Sequence, residues 1–498
     1  MRDISTEVRR PAEPPREWVE TAAAAAGGSL LVFLLTRPAF GVHFFSENFQ
    51  YLGQYLGHDS SFFRALLAPT GGIFFRPVFF AFSLPWSFIL PDEPLLWHLR
   101  NFLFTGINIV LLHRLLLRLV SWRPARLRAV ALFAASKVHL TTIGYLNLFD
   151  SIVMLMLLLA ALLFHARYLE RGRGADYAAA IGFAILSVFS KDFGLVACLV
   201  IAAFVALMLH VRGQWGVRRW GRLVIPLAII VVAYLAVRAS VVEQLPDAGS
   251  PYAPRLSLDL SSRKALLFAS ALFNVSLFDD GTAGGPGLAG ALAGLTGGGR
   301  HSVMLAELAM LTLLAGIACW MLVRGRIDSR ALAFCAVWIG AYLAPTFLTR
   351  NLQIYYGYES IAGAAVLAGL LLDRMRNRRS LRIATALLVL LVSNAAVSNR
   401  PSKYIWGTIA ADAESAVTTL RSRYGDRLPP RLVIVARNPM YWAFVLGDGS
   451  GTPMLPWLFE MRDVEIAYAP RGTSLEGYEE VLDADLELAV RTGRESLP

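Results

Sequence analysis

Against an otherwise apolar sequence, a few isolated carboxylates, cations and crowded aromatic residues stand out as groups able to do chemistry. Glu47 lies within Phe44-Phe45-Ser46-Glu47-Asn48-Phe49-Gln50-Tyr51, and Asp59 follows twelve residues later. A carboxylate at the mouth of a partly dry cavity gains the basicity of a general base, or holds Mg²⁺ or Mn²⁺ beside a phosphate. A solvated loop acid would carry the same spacing. Asn48 adds a hydrogen-bonding amide next to Glu47.

The cations come next. Arg76, in Phe75-Arg76-Pro77, offers a planar fork suited to phosphate oxygens, although a side chain snorkelling to an interface would look alike. Lys191, one of only four lysines, sits beside Asp192 in Ser190-Lys191-Asp192, where a phosphate contact and an internal Lys-Asp pair are both open. Arg350 precedes Tyr355-Tyr356-Gly357-Tyr358-Glu359, in which Tyr356 and Tyr358 present rings for stacking or for an interfacial belt. His98 and Asn101, in Trp97-His98-Leu99-Arg100-Asn101, can reach ligand hydroxyls or satisfy a helix end. Lys137 and His139 fall inside an apolar run, where ionisable groups are costly and face a bundle interior.

Something must hold these groups in place, and the rest of the sequence says what. The chain has 498 residues, 56% hydrophobic and only 17% charged, with mean hydropathy +0.52, which excludes an ordinary soluble globule. Apolar spans fall near 21–40, 95–120, 129–146, 150–167, 176–190, 194–211, 223–242, 302–323, 330–347, 358–373 and 381–397. The net charge of +11 is spread over short loops between these spans, so it reads as a topology signal and not as a nucleic-acid footprint. If the ambiguous stretch 72–90 crossed fully, every later arginine cluster would change side; it is therefore expected to be a re-entrant or interfacial helix.

The expected architecture is a polytopic α-helical membrane protein with about 11 transmembrane helices. It has a cytoplasmic N-terminal tail over 1–20, a transmembrane domain over 21–399, and a small extracytoplasmic α/β domain over 400–498. The loops 41–94 and 243–301 face outward; the second is Gly-rich, contains an amphipathic piece near 266–278, and reads as a flexible lid. Cys198, Cys319 and Cys335 lie in apolar spans without metal or disulfide spacing. No phosphate-binding glycine loop, zinc motif or nucleophile elbow occurs.

The order of pieces resembles the GT-C superfamily of integral-membrane glycosyltransferases, especially the branch similar to protein O-mannosyltransferases. The resemblance covers residues 20–400 and rests on Ser46-Glu47-Asn48, Arg76-Pro77, His98-Leu99-Arg100-Asn101, Ser190-Lys191-Asp192, and Arg350 with Tyr356-Gly357-Tyr358-Glu359. It implies a polyprenyl-phosphate-linked sugar as donor, a glycan, lipid or protein acceptor, inversion at the anomeric carbon, and an active site on the outer face of the cytoplasmic membrane. In that reading Glu47, with Asp59 as a second acid, is the base or the ligand of Mg²⁺ or Mn²⁺. Arg76, Lys191 and Arg350 hold the donor phosphate, and Asn48, His98, Asn101, Asp192, Tyr356 and Tyr358 contact substrate. The family's acidic pair is here reduced to Glu47 followed by Asn48. A transporter or flippase for a lipid-linked sugar, or a silent partner subunit of the same fold, would use the same cations without needing Glu47 as a base.

Overall fold

The structure is a computed structural model of the whole chain, and it describes residues 14–42, 67, 74–89, 93–242, 254–255, 257–275, 288–325, 327–349, 353–399, 405–446, 459, 465–470 and 480–483. Glu47, Asn48, Asp59 and Arg350 lie outside the described residues.

Helices account for nearly all of the first 400 residues described. They are α1 (Pro14–Thr36), α2 (Pro77–Ile89), α3 (Pro94–Leu119), α4 (Arg123–Ala134), α5 (Val138–Gly144), α6 (Phe149–Arg171), α7 (Gly174–Val188) and α8 (Val196–Val211), followed by α9 (Val217–Val241), α10 (Leu258–Phe273), α11 (Leu288–Leu295), α12 (Arg300–Gly325), α13 (Ser329–Phe347), α14 (Tyr358–Arg374) and α15 (Arg378–Ser398). Among the described residues nine helices are long and apolar enough to cross a membrane, two fewer than the sequence spans. The protein is thus a multi-pass membrane protein.

The two missing spans differ for separate physical reasons. The apolar run 129–146 is not one helix: it breaks at Ala135–Lys137 into α4 and α5. The run 176–190 yields α7, whose 15 residues extend only about 22 Å, short of the roughly 30 Å hydrocarbon thickness. The turn that follows α7 is consequently buried: Ser190 is 0% and Lys191 4% exposed. The stretch 72–90 forms α2, 13 residues with Pro85 inside it, too short to cross.

Breaking a helix inside an apolar bundle frees backbone groups that need partners. Asn274 meets two of them and ties the break to α15. Its Nδ2 donates to the carbonyls of Ala135 (2.8 Å) and Leu391 (2.9 Å), and its Oδ1 accepts from the Lys137 amide at 2.9 Å. Lys137 Nζ donates to Val275 O at 2.7 Å, and a ring nitrogen of His139 lies 2.8 Å from Phe133 O. Asn274 reaches this position as the left-handed residue ending α10, with φ 55°. The expected lid is therefore anchored over 258–275: Asn274 seals the break, and Lys264 Nζ donates to the carbonyls of Thr346, in the last turn of α13, and Thr349, just past it.

Residues beyond 400 contribute α16 (Ile405–Tyr424), β1 (Arg431–Ala436), α17 (Pro439–Val445), β2 (Glu465–Pro470) and β3 (Glu480–Asp483). The strands form a parallel sheet in the order β2-β1-β3, with Val433 paired to Ala467 on one side and to Val481 on the other. The buried run Leu432–Ala436 fits a central parallel strand covered on both faces.

Asn274→Gly keeps the left-handed backbone but removes two hydrogen bonds at the break and one to Leu391 O in α15. It is expected to cost about 2–5 kcal/mol, because buried backbone groups are left without partners. A clear fall in apparent melting temperature of the detergent-purified protein is the expected readout; an unchanged value would contradict the sealing role.

Candidate functional site

Five separate chain segments bring their charges together at one end of the helix bundle. Arg76 stands immediately before α2, Asp150 and Ser151 open α6, Lys191 and Asp192 form the turn between α7 and α8, Arg238 lies in the last turn of α9, and Glu359 opens α14. Arg76 bridges two carboxylates, donating from Nη1 to Asp150 Oδ2 at 2.8 Å and from Nε to Asp192 Oδ2 at 3.0 Å. Arg238 Nε lies 3.5 Å from the other oxygen of Asp192. Lys191 Nζ donates to Ser151 Oγ and lies 3.6 Å from Asp150 Oδ1 and 3.9 Å from Glu359 Oε1. Three cations thus face three carboxylates.

Local sequence explains why each group arrives where it does. Pro77 starts α2 without needing an amide partner, and Val78 N donates to Phe189 O at 3.1 Å, tying the start of α2 to the end of α7. Phe75 packs against Phe189 and Tyr234 below the charges. Asp150 and Glu359 occupy first helical turns, where the positive end of the helix dipole favours a buried carboxylate. Gly194 allows the tight turn after Lys191: a Cβ there would lie 2.4 Å from Ser187 O, a backbone atom that cannot step aside. The rings of Tyr355 and Tyr356 pack tilted at 44° with centroids 4.6 Å apart, and they stand 6.0 and 5.7 Å from Lys191 Nζ, within cation–π range.

The cluster is graded in depth. The side chains of Asp150, Glu359 and Lys191 are 2%, 3% and 5% exposed, whereas Arg238 is 28% and Asp192 17% exposed. Arg238 and Asp192 are therefore the most exposed members of the cluster.

His98 and Asn101 lie beside this cluster, with their polar atoms on backbone carbonyls. The two ring nitrogens of His98 sit 2.8 Å from Ile143 O and 2.9 Å from Val42 O, and Asn101 Nδ2 donates to Thr142 O at 2.9 Å. Arg100 donates to Asn101 Oδ1 and to Leu146 O, its guanidinium stacked 3.8 Å from the Phe149 ring centroid. Together these residues pin the chain just ahead of Asp150. Tyr358 points into the bundle, its hydroxyl accepting from Asn108 Nδ2 at 3.2 Å, while Tyr356 faces Lys191.

Of the residues singled out from sequence, Arg76, Lys191, Asp192 and Tyr356 meet in one place. Asp150, Arg238 and Glu359 were not singled out, although Asp150 and Glu359 open apolar spans and Arg238 is a charge inside the end of one. Among the described residues no group of three His, Cys, Asp or Glu converges as metal ligands, and the carboxylates here are engaged by cations, so this set does not fit a Mg²⁺ or Mn²⁺ site.

No family model and no curated protein sequence matches the chain. Two solved structures of the oligosaccharyltransferase of Archaeoglobus fulgidus are similar in fold. The one tethered to an acceptor peptide containing an NVT sequon is 10% identical, with 86% of this chain and 63% of that chain covered and a TM-score of 0.44. The other, AglB in complex with an inhibitory peptide and a dolichol-phosphate, is 13% identical, with 89% and 65% covered and a TM-score of 0.47. This chain spans a little under two thirds of the length of each.

Asp150→Ala leaves Arg76 and Lys191 facing one carboxylate fewer in a buried setting. Removing one partner of such a pair costs about 3–5 kcal/mol, so a marked loss of thermal stability is expected, larger than for the more exposed Asp192→Ala. Gly194→Ala is expected to displace the Lys191 turn through its backbone clash; comparison with Gly182→Ala, whose added methyl meets nothing within 4 Å, isolates that effect in the same melting assay.

Proposed function

We propose that the chain transfers a sugar from a polyprenyl-phosphate donor to an acceptor hydroxyl at the extracytoplasmic face of the cytoplasmic membrane. The observation that carries this reading is the convergence of Arg76, Lys191 and Arg238 in one charge cluster, at the bundle end from which the segment containing Glu47 departs. Both flanks of that segment attach there: Val42 O contacts His98, and Arg76 sits in the cluster itself.

As the bond from the anomeric carbon to the phosphate oxygen breaks, negative charge accumulates on the phosphate. Fixed cations in a water-poor setting stabilise that charge most when they need not reorganise. Arg76 is held by two carboxylates and Lys191 by Ser151, so both are oriented in advance, while the more exposed Arg238 meets the incoming phosphate. Arg350 joins them in this reading, because the preceding Thr349 is held by Lys264 and the following residues lead to Tyr355 and Tyr356 beside Lys191. The acceptor hydroxyl attacks the anomeric carbon opposite the departing phosphate and gives its proton to Glu47, with Asp59 as a second acid. One displacement inverts the configuration.

His98 and Asn101 act in this reading through the segment they pin, and Asn48, Asp192, Tyr356 and Tyr358 shape the sugar site. The isoprenoid would lie along the apolar surface of α2 in this reading. The N-terminus is cytoplasmic, and residues 400–498 bind the glycan, lipid or protein acceptor, or a partner subunit, on the outer side. Any Mg²⁺ or Mn²⁺ would draw on Glu47.

The test is transfer from labelled polyprenyl-phosphate sugars to cell-envelope acceptors by the purified protein. Glu47→Gln is expected to keep donor binding and lower transfer about 10²–10⁴-fold, the usual worth of a general base. Arg238→Gln is expected to weaken donor binding roughly tenfold, as for a lost charge-assisted hydrogen bond. Donor binding without transfer by the wild type would instead favour a flippase or a silent subunit.

A further inference from the structure

At the opposite, arginine-rich end of the bundle, α15 and the start of α4 form a groove of about 680 Å³ on the outside of the bundle, lined by Arg128, Arg382, Thr385, Ala386, Val389 and Ser393 among others. We propose that this groove is a binding site for one anionic phospholipid, its phosphate held by Arg128 and Arg382 and one acyl chain lying along α15. The proposal is independent of the sugar-transfer reading.

Three observations converge on that occupant. The groove rises from Arg382 to Ser393, roughly 16 Å along a helix at 1.5 Å per residue, which matches one leaflet of a hydrocarbon core about 30 Å thick. Its polar groups are confined to one end, except for Ser393, while Ala386, Val389 and Leu390 line the rest. Val389 is 59% exposed, so the stripe faces outward, where lipid lies.

The charge at the polar end is fixed and positive. Arg128 donates from Nε and Nη2 to Thr385 Oγ1 at 3.2 and 2.8 Å and from Nη1 to Pro124 O at 3.1 Å, so uncharged partners hold its guanidinium across the seam between α4 and α15. Arg382 stands one turn before Thr385 and is exposed. This contrasts with the neighbouring Arg126, whose charge is met by both oxygens of Glu20 at 2.8 Å. A lipid phosphate supplies the anion that Arg128 lacks among the described residues, and basic grooves between helices near a membrane surface recognise acidic head groups in this way.

Native mass spectrometry of the full chain, titrated with phosphatidylglycerol or with phosphatidylcholine of the same acyl chains, tests the proposal. Phosphatidylglycerol is expected to bind at least fivefold more tightly, and Arg382→Gln and Arg128→Gln are each expected to weaken it about fivefold, the worth of one basic residue near a membrane surface. Arg382→Gln changes an exposed side chain and is expected to melt as the wild type does, so its result stands even if Arg128→Gln unfolds. Equal affinity for the two lipids, or phosphatidylglycerol binding unchanged by Arg382→Gln, overturns the proposal. Displacement of phosphatidylglycerol by equimolar polyprenyl phosphate overturns it as well, reassigning the groove to that lipid; displacement by millimolar inorganic phosphate alone would reduce it to a free anion site.

Discussion

Charge compensation inside an apolar bundle is the constraint on which this molecule depends. Arg76, Lys191 and Arg238 are tolerable there because Asp150, Asp192 and Glu359 stand close by, and two of these carboxylates gain further from the helix N-termini that carry them. No two neighbours in this arrangement come from one helix interior. The ends of α2, α6, α7, α8, α9 and α14 are therefore held in common by electrostatics, while the apolar faces between them supply close packing.

The short α7 and the residues ahead of Asp150 follow from the same requirement. Because α7 has only 15 residues, the turn after it is buried, and Lys191 meets Asp150 and Glu359 in a dry setting. His98, Arg100 and Asn101 use their polar atoms to hold the chain from Thr142 to Leu146, which fixes where α6 begins. Polar residues held on backbone carbonyls thus fix the position of a buried carboxylate.

Much of this was legible in the sequence. Arg76 and Lys191 stood out as lone cations in apolar surroundings, with a snorkelling anchor or an internal ion pair equally open, and the fold places both against buried carboxylates. Asp150, Arg238 and Glu359 carried the same signal near span ends, but there a solvated helix end competes with a buried site, and only the fold decides. Hydropathy also merges what geometry separates: 129–146 is apolar throughout except near Lys137, and nothing within that window announces a break whose partners come from residues 274 and 275. The loop expected to move freely is instead tied down over 258–275, since an asparagine's capacity for three backbone hydrogen bonds becomes visible only once those backbone groups are placed.

The sealed break has a consequence for how the protein is made. The pair α4 and α5 enters the membrane with unsatisfied backbone groups and a lysine at its centre, and the residue that completes it lies 139 positions downstream of Ala135. At ordinary synthesis rates of about 5–20 residues per second, that partner emerges roughly 7–28 s later. During that interval this crossing is an incomplete segment, and it must shelter in the insertion machinery, beside a chaperone, or against α1 and α3 until α10 arrives.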